Sequence, residues 1–384
     1  MDFNFTEEQV AMVNTVKSFA ANVLLPKYSY WDRNKEFPYE QVKMMGELGL
    51  LGLRVDPKYG GLGIDCVTAG LVMEEVCRGD FNCGYPLLID YILGDILGKF
   101  ASDQVKKDWL APMIKGDKII SFSLTEPHCG SDAAIIRARA VRKGDTYVLN
   151  GEKSAITMLM AAEAALVFVK TDPDAGFKGV SCLIVPFDLP GITRQSYGDM
   201  GAKGLVRGSL FMDDVVVPAE NMVGREGGGF FQVMQAFDYT RALIGLQCVG
   251  AAEQTLEETI QYVKDRTAFG KPIAEFEGVS FPLAEWSAKI EMVRWMCYRT
   301  LWLRDQGLPH TKEAAMCKWL GPDTAAEAIQ ECLVLHGHYG YTDEFPIEQR
   351  LRDVIGIRIG DGTPQIQKLV IARELLGKGC LRFS

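Results

Sequence analysis

The chain has 384 residues, of which 48% are apolar and 24% are charged. This composition excludes wholesale disorder and allows one to three domains around a large core. The net charge is −9, and no run of the chain is rich in lysine or arginine. Because phosphate binding needs a basic surface, we expect no nucleic-acid partner.

Cysteine spacing and hydrophobic runs indicate an ordinary intracellular protein. The ten cysteines contain no C-x-x-C pair, so we expect small core residues in a reducing compartment and no metal site. The N-terminus has neither a signal peptide nor an arginine-rich transit segment, and no uncharged apolar run reaches membrane-spanning length. We therefore expect a cytoplasmic protein without membrane insertion.

The first part of the chain is predicted to be helical. Thr6 begins a capping-box pattern, followed by apolar residues at helical spacing. A second helix is expected to begin near Pro38, and Ser102 can cap a further helix that runs through Trp109.

From about residue 118 the pattern changes to short β-type runs bounded by turn residues. Five such runs predict a small sheet domain or barrel: 119–124, 146–149, 165–169, 180–185 and 210–217. Long amphipathic helices then predict a bundle, at 230–265, 278–306, 312–338 and 346–377. This order predicts three domains, an N-terminal α-helical domain (1–117), a central β-domain (118–225) and a C-terminal four-helix bundle (226–384).

Five segments carry the functional signal: 124–132 (LTEPHCGSD), 237–241 (FDYTR), 265–272 (DRTAFGKP), 337–341 (GHYGY) and 361–367 (DGTPQIQ). The first presents hydroxyl groups and a glycine in a tight loop, which suits the edge of a planar polar ligand but is equally well explained as a turn. Taken together, in this order and spacing, the five segments resemble the acyl-CoA dehydrogenase family across essentially the whole chain.

The resemblance implies an acyl-CoA dehydrogenase-like fold, with an N-terminal α-helical domain, a central β-barrel domain and a C-terminal four-helix bundle. It implies FAD between the β-domain and the bundle, an acyl-CoA substrate, a homotetramer, and electron-transferring flavoprotein as the electron acceptor. The residues that match flavin contacts are Phe122, Leu124, Thr125, Gly130, Ser131, Ile156 and Thr157. Those that match the pyrophosphate and adenine contacts across a dimer interface are Arg266, Phe269, Val334, Gly337, His338, Thr363 and Gln365. Those that match substrate contacts are Ser131, Phe237, Asp238, Arg241 and Gly362.

The resemblance also implies the chemistry: a carboxylate removes the α-proton of the thioester while hydride leaves the β-carbon for flavin N5. The family uses a glutamate for this step, and the matching residue is Asp361, whose reach is shorter by one C–C bond, ~1.5 Å. Proton transfer needs near-contact geometry, so three explanations remain open. The substrate is displaced, a second base acts, or the chain is a non-catalytic FAD- or CoA-binding subunit.

Three departures from the family favour a wide, alicyclic acyl group. Gly360 and Ala155 replace aromatic residues, which makes room in the pocket. Asp90 interrupts an apolar run and either lies on a solvated face with Gly94 and Gly98 or acts as a second base of raised pKa. This pattern is similar to the branch acting on cyclohexane- and cyclohex-1-ene-carboxyl-CoA in anaerobic aromatic degradation, where a 1,4-elimination to the diene is known. A short- or branched-chain acyl-CoA dehydrogenase, and an oxidase of the same fold, remain alternatives.

Overall fold

The computed structural model describes residues 4–377, and its first third is helical. The capping box at Thr6 is confirmed, since Thr6 Oγ1 accepts the N–H of Gln9 at 3.2 Å and Gln9 Oε1 accepts the N–H of Thr6 at 3.0 Å. The helices are α1 (Glu7–Phe19), α2 (Tyr28–Asn34), α3 (Tyr39–Glu47), α4 (Cys66–Gly79), α5 (Gly84–Phe100), α6 (Asp103–Val105) and α7 (Ala111–Ile114).

Two helical segments differ from the prediction. Helix α2 was not predicted, whereas α3 begins beside Pro38 as expected. Ser102 Oγ accepts the N–H of Val105 at 3.2 Å, as expected of a cap. The helical segment does not end at Trp109, because a π-helical stretch (Lys106–Leu110) joins α6 to α7.

The central part is a β-domain with seven strands instead of the five predicted. The strands are β1 (Ile120–Ser123), β2 (Arg139–Lys143), β3 (Thr146–Ile156), β4 (Ala164–Lys170), β5 (Val180–Pro186), β6 (Ile192–Ser196) and β7 (Gly208–Pro218). They pair in the order β1-β4-β2-β3-β7-β6, and β5 pairs with β4. The two missed strands, β2 and β6, are mostly solvent-facing and lack an apolar run.

Strand β4 connects two hydrophobic cores, because successive side chains of a strand point to opposite faces. All seven of its residues are buried. Leu166 and Phe168 pack in a core with residues of α5 and α8 (Gly229–Asp265), whereas Val167 and Val169 pack in a core inside the β-domain. The β-domain is thereby fixed against the helices on one face.

The last part of the chain is a helical bundle around α8. The other helices are α9 (Glu277–Asp305), α10 (Thr311–Leu335), α11 (Ile347–Ile359) and α12 (Pro364–Leu376), and a small β-hairpin follows α8, formed by β8 (Thr267–Ala268) and β9 (Lys271–Pro272). Helices α8 and α10 approach closely at two glycines, where a Cβ on Gly321 would come within 2.6 Å of the Cα of Gly245. Among the described residues, no helix has the length and apolar character that crossing a membrane requires.

The prediction of one helix over 346–377 is wrong, because α11 and α12 are separated by the loop 360–363. Asp361 and Gly362 have φ values of 53° and 95°, which a right-handed helix cannot contain. Pro364 then starts α12 at a position where proline is favourable.

Candidate functional site

The first part of the site lies where the β-domain meets α8. Phe122 on β1 has its ring centroid 6.1 Å from that of Phe237 on α8 and 5.1 Å from that of Phe168 on β4. Phe122 was predicted to contact a cofactor and Phe237 a substrate. The fold therefore brings one member of each set into contact.

The loop 124–132 is held by a buried ion pair that sequence reasoning missed. Lys153 Nζ on β3 lies 2.7 Å from Glu126 Oε1 and donates to the carbonyl oxygen of Leu124 at 3.0 Å. Glu126 also accepts the backbone N–H groups of Arg137 and Ala138, at 2.7 and 3.0 Å. Burial lowers the pKa of Lys153 to about 8, although the negative charge of Glu126 acts to raise it. These contacts fix the loop that carries the predicted flavin residues Thr125, Gly130 and Ser131.

The end of β3 lies against the same loop. The N–H of Ser154 donates to the carbonyl oxygen of Thr125 at 2.9 Å, which places Thr125 beside the segment that carries Ile156 and Thr157. Ile156 is buried and Thr157 is half-buried. Arg207 Nε lies 3.4 Å from Thr157 Oγ1.

Two neighbours of this strand end were not predicted. Arg207 is paired with Asp199 at 2.6 Å, and its guanidinium is largely buried. The Tyr197 hydroxyl lies near the backbone of Ala155 and the side chain of Ser154. Ala155 itself is exposed, and the nearby Tyr197 is 41% exposed.

Asp361 lies in the loop 360–363, held from two sides. Gln367 Nε2 donates to the carbonyl oxygens of Asp361 and Gly362, each at 3.1 Å. Lys318 Nζ on α10 donates to the carbonyl oxygens of Gly362 at 3.3 Å and Ile357 at 2.8 Å. Among residues 4–377 the carboxylate of Asp361 itself accepts no hydrogen bond, so both of its oxygens are available to a ligand.

Burial and the neighbouring charges have opposite effects on the ionisation of Asp361. Burial raises the pKa of Asp361, and the positive charges of Lys318 and Arg241 oppose that rise. Arg241 lies on α8, with its guanidinium carbon 5.9 Å from the ring centroid of Phe237. Its Nη1 bonds to Asp238 at 3.0 Å, while its buried Nε has no partner among the described residues. Phe237, Asp238 and Arg241 were predicted as substrate contacts, and the positive charge of Arg241 also acts on Asp361.

Tyr85 at the start of α5 lies near charged groups of both halves of the site. Burial raises the pKa of Tyr85, and the charges of Arg207 and Asp361 act on it in opposite directions. Its hydroxyl is therefore within electrostatic reach of both the β3 end and the loop 360–363. Sequence reasoning missed Tyr85 because nothing in the Gly84-Tyr85-Pro86 segment separates it from an ordinary core residue.

Asp90 is buried, with 6% of its surface exposed, so its placement on a solvated face is wrong. Among the described residues it has no ion pair and no hydrogen bond. Burial alone raises the pKa of Asp90, and Asp361 contributes nothing to that rise. Gly94, on the same predicted face, is also buried and packs against Val55.

The predicted pyrophosphate and adenine residues lie at the surface of the single chain. The ring of Phe269 is 95% exposed, and Val334 is 62% exposed. Arg266, Gly337, His338 and Gln365 are also exposed, and Thr363 is half-buried at the start of α12. These residues belong to the ends of α8 and α10 and the start of α12.

In the described part of the chain, the buried histidine and the one group of potential metal ligands have other roles. His336 is buried, stacks on Tyr262 at 4.1 Å and bonds to the carbonyl oxygen of Cys332, which marks it as a core residue. Among the described residues, Glu126, His128 and Cys129 place potential ligand atoms within 4.8 Å of one another. The Glu126 oxygens are already used by Lys153 and two backbone N–H groups, so this group supports no metal proposal. The nine described cysteines are free and buried, as expected, and Cys380 lies outside the described residues.

Comparison with known families identifies this arrangement. The N-terminal, middle and C-terminal domains of acyl-CoA dehydrogenases match residues 6–117, 121–215 and 227–376. The chain belongs to the acyl-CoA dehydrogenase family. The expected fold class is confirmed, and the cofactor is FAD.

Individual relatives match over nearly the full length. A probable acyl-CoA dehydrogenase of Bacillus subtilis is 38% identical, over 98% of this chain and all of the relative. A short-chain-specific acyl-CoA dehydrogenase of Clostridium acetobutylicum is 34% identical, again over 98% of this chain and all of the relative. The structure of butyryl-CoA dehydrogenase from Megasphaera elsdenii has a TM-score of 0.94 at 33% identity, covering 98% of this chain and all of that one.

The residues present fit a flavin. Thr125 and Thr157 are half-buried, and both lie at the place where the loop 124–132 meets the end of β3. A Cβ placed on Gly130 would meet no atom within 4 Å, so the loop leaves open space there. When bound, FAD supplies the acceptor for the hydride that leaves the β-carbon of the thioester.

Proposed function

We propose that this acyl-CoA dehydrogenase acts on short-chain acyl-CoA thioesters, with Asp361 as the base that removes the α-proton. The observation that carries the proposal is the position of Asp361. Its carboxylate is unpaired among the described residues, and the positive charges of Lys318 and Arg241 act on it. Arg241 in turn lies beside the ring of Phe237. The relatives named for short-chain and butyryl-CoA substrates support the chain length.

The residues around Asp361 are proposed to have separate roles. Asp361 accepts the proton, and its own backbone N–H is the proposed donor to the thioester oxygen, where negative charge develops. Arg241, Asp238 and Phe237 are proposed to contact the coenzyme A thioester beside Phe122. Arg241 also moderates the cost of burying the Asp361 charge.

The exposed set at the ends of α8, α10 and α12 is proposed to hold the pyrophosphate and adenine of FAD together with a neighbouring subunit of a homotetramer. The ring of Phe269 is 95% exposed, and exposed apolar surface of this kind is typical of a binding site. Electron-transferring flavoprotein is the proposed electron acceptor, since one of the matching structures, 33% identical with a TM-score of 0.94, comes from work on that flavoprotein.

An alicyclic acyl group is the second candidate, and two observations favour it. Asp90 is buried without a partner, which is rare for a carboxyl group and typical of functional sites. A Cβ on Gly360 would lie 3.7 Å from Ile357 and meet no other atom within 4 Å, so the position beside Asp361 has room.

Anaerobic substrate titration tests both candidates. The purified, FAD-loaded protein is mixed with butyryl-CoA or with cyclohex-1-ene-carboxyl-CoA, and flavin absorbance is followed. Bleaching by butyryl-CoA at a much higher kcat/KM supports the short-chain proposal. Bleaching by the ring substrate alone replaces it with the second candidate, and a yellow protein that neither thioester bleaches contradicts both.

A further inference from the structure

Lys318 is a buried lysine at the centre of the bundle. Its side chain is 1% exposed, and it lies in the apolar-rich segment AAMCKWLG of α10. Its ammonium donates to the carbonyl oxygen of Ile357, near the end of α11, and to that of Gly362, in the loop 360–363. One side chain therefore bridges the last turn of α11 and the residue that follows Asp361.

We propose that Lys318 is a positioning residue for Asp361: its ammonium fixes the loop 360–363 against α11 and supplies an uncommitted positive charge that keeps the Asp361 carboxylate ionised. This inference rests on the proposed role of Asp361 as the base. It assigns a function to a residue that lies outside all five recognised motifs.

The hydrogen-bonding pattern distinguishes Lys318 from the other nearby cation. The Nη1 of Arg241 is bonded to Asp238 at 3.0 Å, and Asp238 also accepts the hydroxyl of Thr311 at 2.6 Å. Lys318 forms no ion pair among the described residues, and both of its hydrogen bonds go to neutral carbonyl groups. No carboxylate among the described residues is therefore in contact with the Lys318 ammonium. Its positive charge acts on Asp361 more strongly than the charge of Arg241, which is paired with Asp238.

The charges facing the pair come from several elements. Asp361 is influenced by Lys318 of α10 and Arg241 of α8, and it acts in turn on Tyr85 of α5. Lys318 is influenced by Asp361, by Arg241 and Cys248 of α8, and by Asp323 of its own helix. Burial lowers the pKa of Lys318 to about 8, and Asp361 is the largest influence that raises it. The same interaction lowers the pKa of Asp361.

The loop needs such support because its backbone is strained. Asp361 has φ 53°, a conformation that costs free energy for a residue with a side chain. Gln367 supplies the other restraint, through its two bonds to the carbonyl oxygens of Asp361 and Gly362. Gln367 carries no charge, so it restrains the loop without acting on the ionisation of Asp361. This difference provides a matched control.

The test is the pH profile of kcat/KM with butyryl-CoA for the FAD-loaded wild type and for Lys318→Met, Lys318→Arg and Gln367→Met. We expect Lys318→Met to move the acid limb to higher pH by about one pH unit, because an opposite charge is lost from beside the base. Lys318→Arg retains the charge and should leave the limb near its wild-type position. Gln367→Met should lower kcat/KM at all pH values without moving the limb.

The outcomes separate this inference from the proposed function. An active Lys318→Met enzyme whose acid limb has not moved overturns the positioning role and leaves the role of Asp361 intact. A limb displaced equally in Lys318→Arg and Lys318→Met also overturns it, since the charge would then be irrelevant. If Lys318→Met does not fold, Lys318→Gln is measured in its place, with FAD content and Tm recorded for each variant. A wild type that no acyl-CoA reduces contradicts the proposed function itself.

Discussion

The ammonium of Lys153 lies 2.7 Å from Oε1 of Glu126, and both side chains are buried. Glu126 also accepts two backbone N–H groups of the segment that follows the loop 124–132. The pair therefore connects β3 with both ends of the loop that carries the proposed flavin contacts. Because both groups are buried and bonded within this network, we expect them to act on the shape of the proposed FAD site.

Lys153→Met should destabilise the protein and weaken FAD retention. Removing one partner of a buried ion pair leaves an uncompensated charge, which costs about 3–5 kcal/mol. We expect a lower Tm and a protein that loses FAD on dialysis. Lys143→Met, at an exposed position on β2, is the control and should retain both. Wild-type FAD retention in Lys153→Met would show that the pair does not shape the loop.

The pH dependence of the wild-type reaction should reflect the buried position of Asp361. Burial raises the pKa of Asp361, so the protonated form persists to higher pH than for an ordinary aspartate of ~3.9. A base must be ionised to accept a proton, so kcat/KM should fall as the pH falls through this raised value. Steady-state assays from about pH 4 to 9 measure the limb. An activity that stays constant down to about pH 4 contradicts the assignment.

Replacing Asp90 separates the two candidate substrates. If Asp90 removes a proton from a ring, Asp90→Asn should lower turnover of cyclohex-1-ene-carboxyl-CoA by about 100-fold or more, because an amide cannot accept the proton. Dehydrogenation of butyryl-CoA, for which Asp361 is the proposed base, should fall less. Parallel assays of both thioesters give the ratio. Equal effects on the two substrates remove Asp90 from the mechanism and support a structural role.

Asp80 should make stability depend on pH. Burial raises the pKa of Asp80 to about 7, well above its unfolded value, so its protonated form is favoured in the folded state. Its contribution to stability is complete below about pH 4 and is lost as the pH rises through about 7. The Tm of the wild type minus that of Asp80→Asn should therefore decrease from about pH 5 to pH 8. Asp213→Asn, at an exposed position, provides the control. A Tm difference between the wild type and Asp80→Asn that does not change with pH would contradict the prediction.

The sequence predicts elements well where local patterns decide them. The capping box at Thr6 and the buried strand β4 were both anticipated, because each has its own local signal. Strands β2 and β6 were missed because they hold few apolar residues and gain their order from pairing with β3 and β7. Such pairing depends on residues distant in sequence.

The loop containing Asp361 shows a different limit. Apolar residues at helical spacing continue from α11 into α12, so the pattern predicted one helix, although Gly362, Thr363 and Pro364 together form a helix-start signal that could have revealed the break. Lys318 had no such signal. A single lysine in an apolar helix becomes informative only when its ammonium is seen bonded to the carbonyl of Gly362.

The most direct test of the central claim is anaerobic flavin reduction in Asp361→Asn. The variant is loaded with FAD and mixed with an excess of butyryl-CoA beside the wild type, and the flavin absorbance is followed. We predict that the wild type bleaches, whereas Asp361→Asn retains FAD and binds the thioester but bleaches at least about 100-fold more slowly. Bleaching of Asp361→Asn at the wild-type rate would show that another group removes the proton.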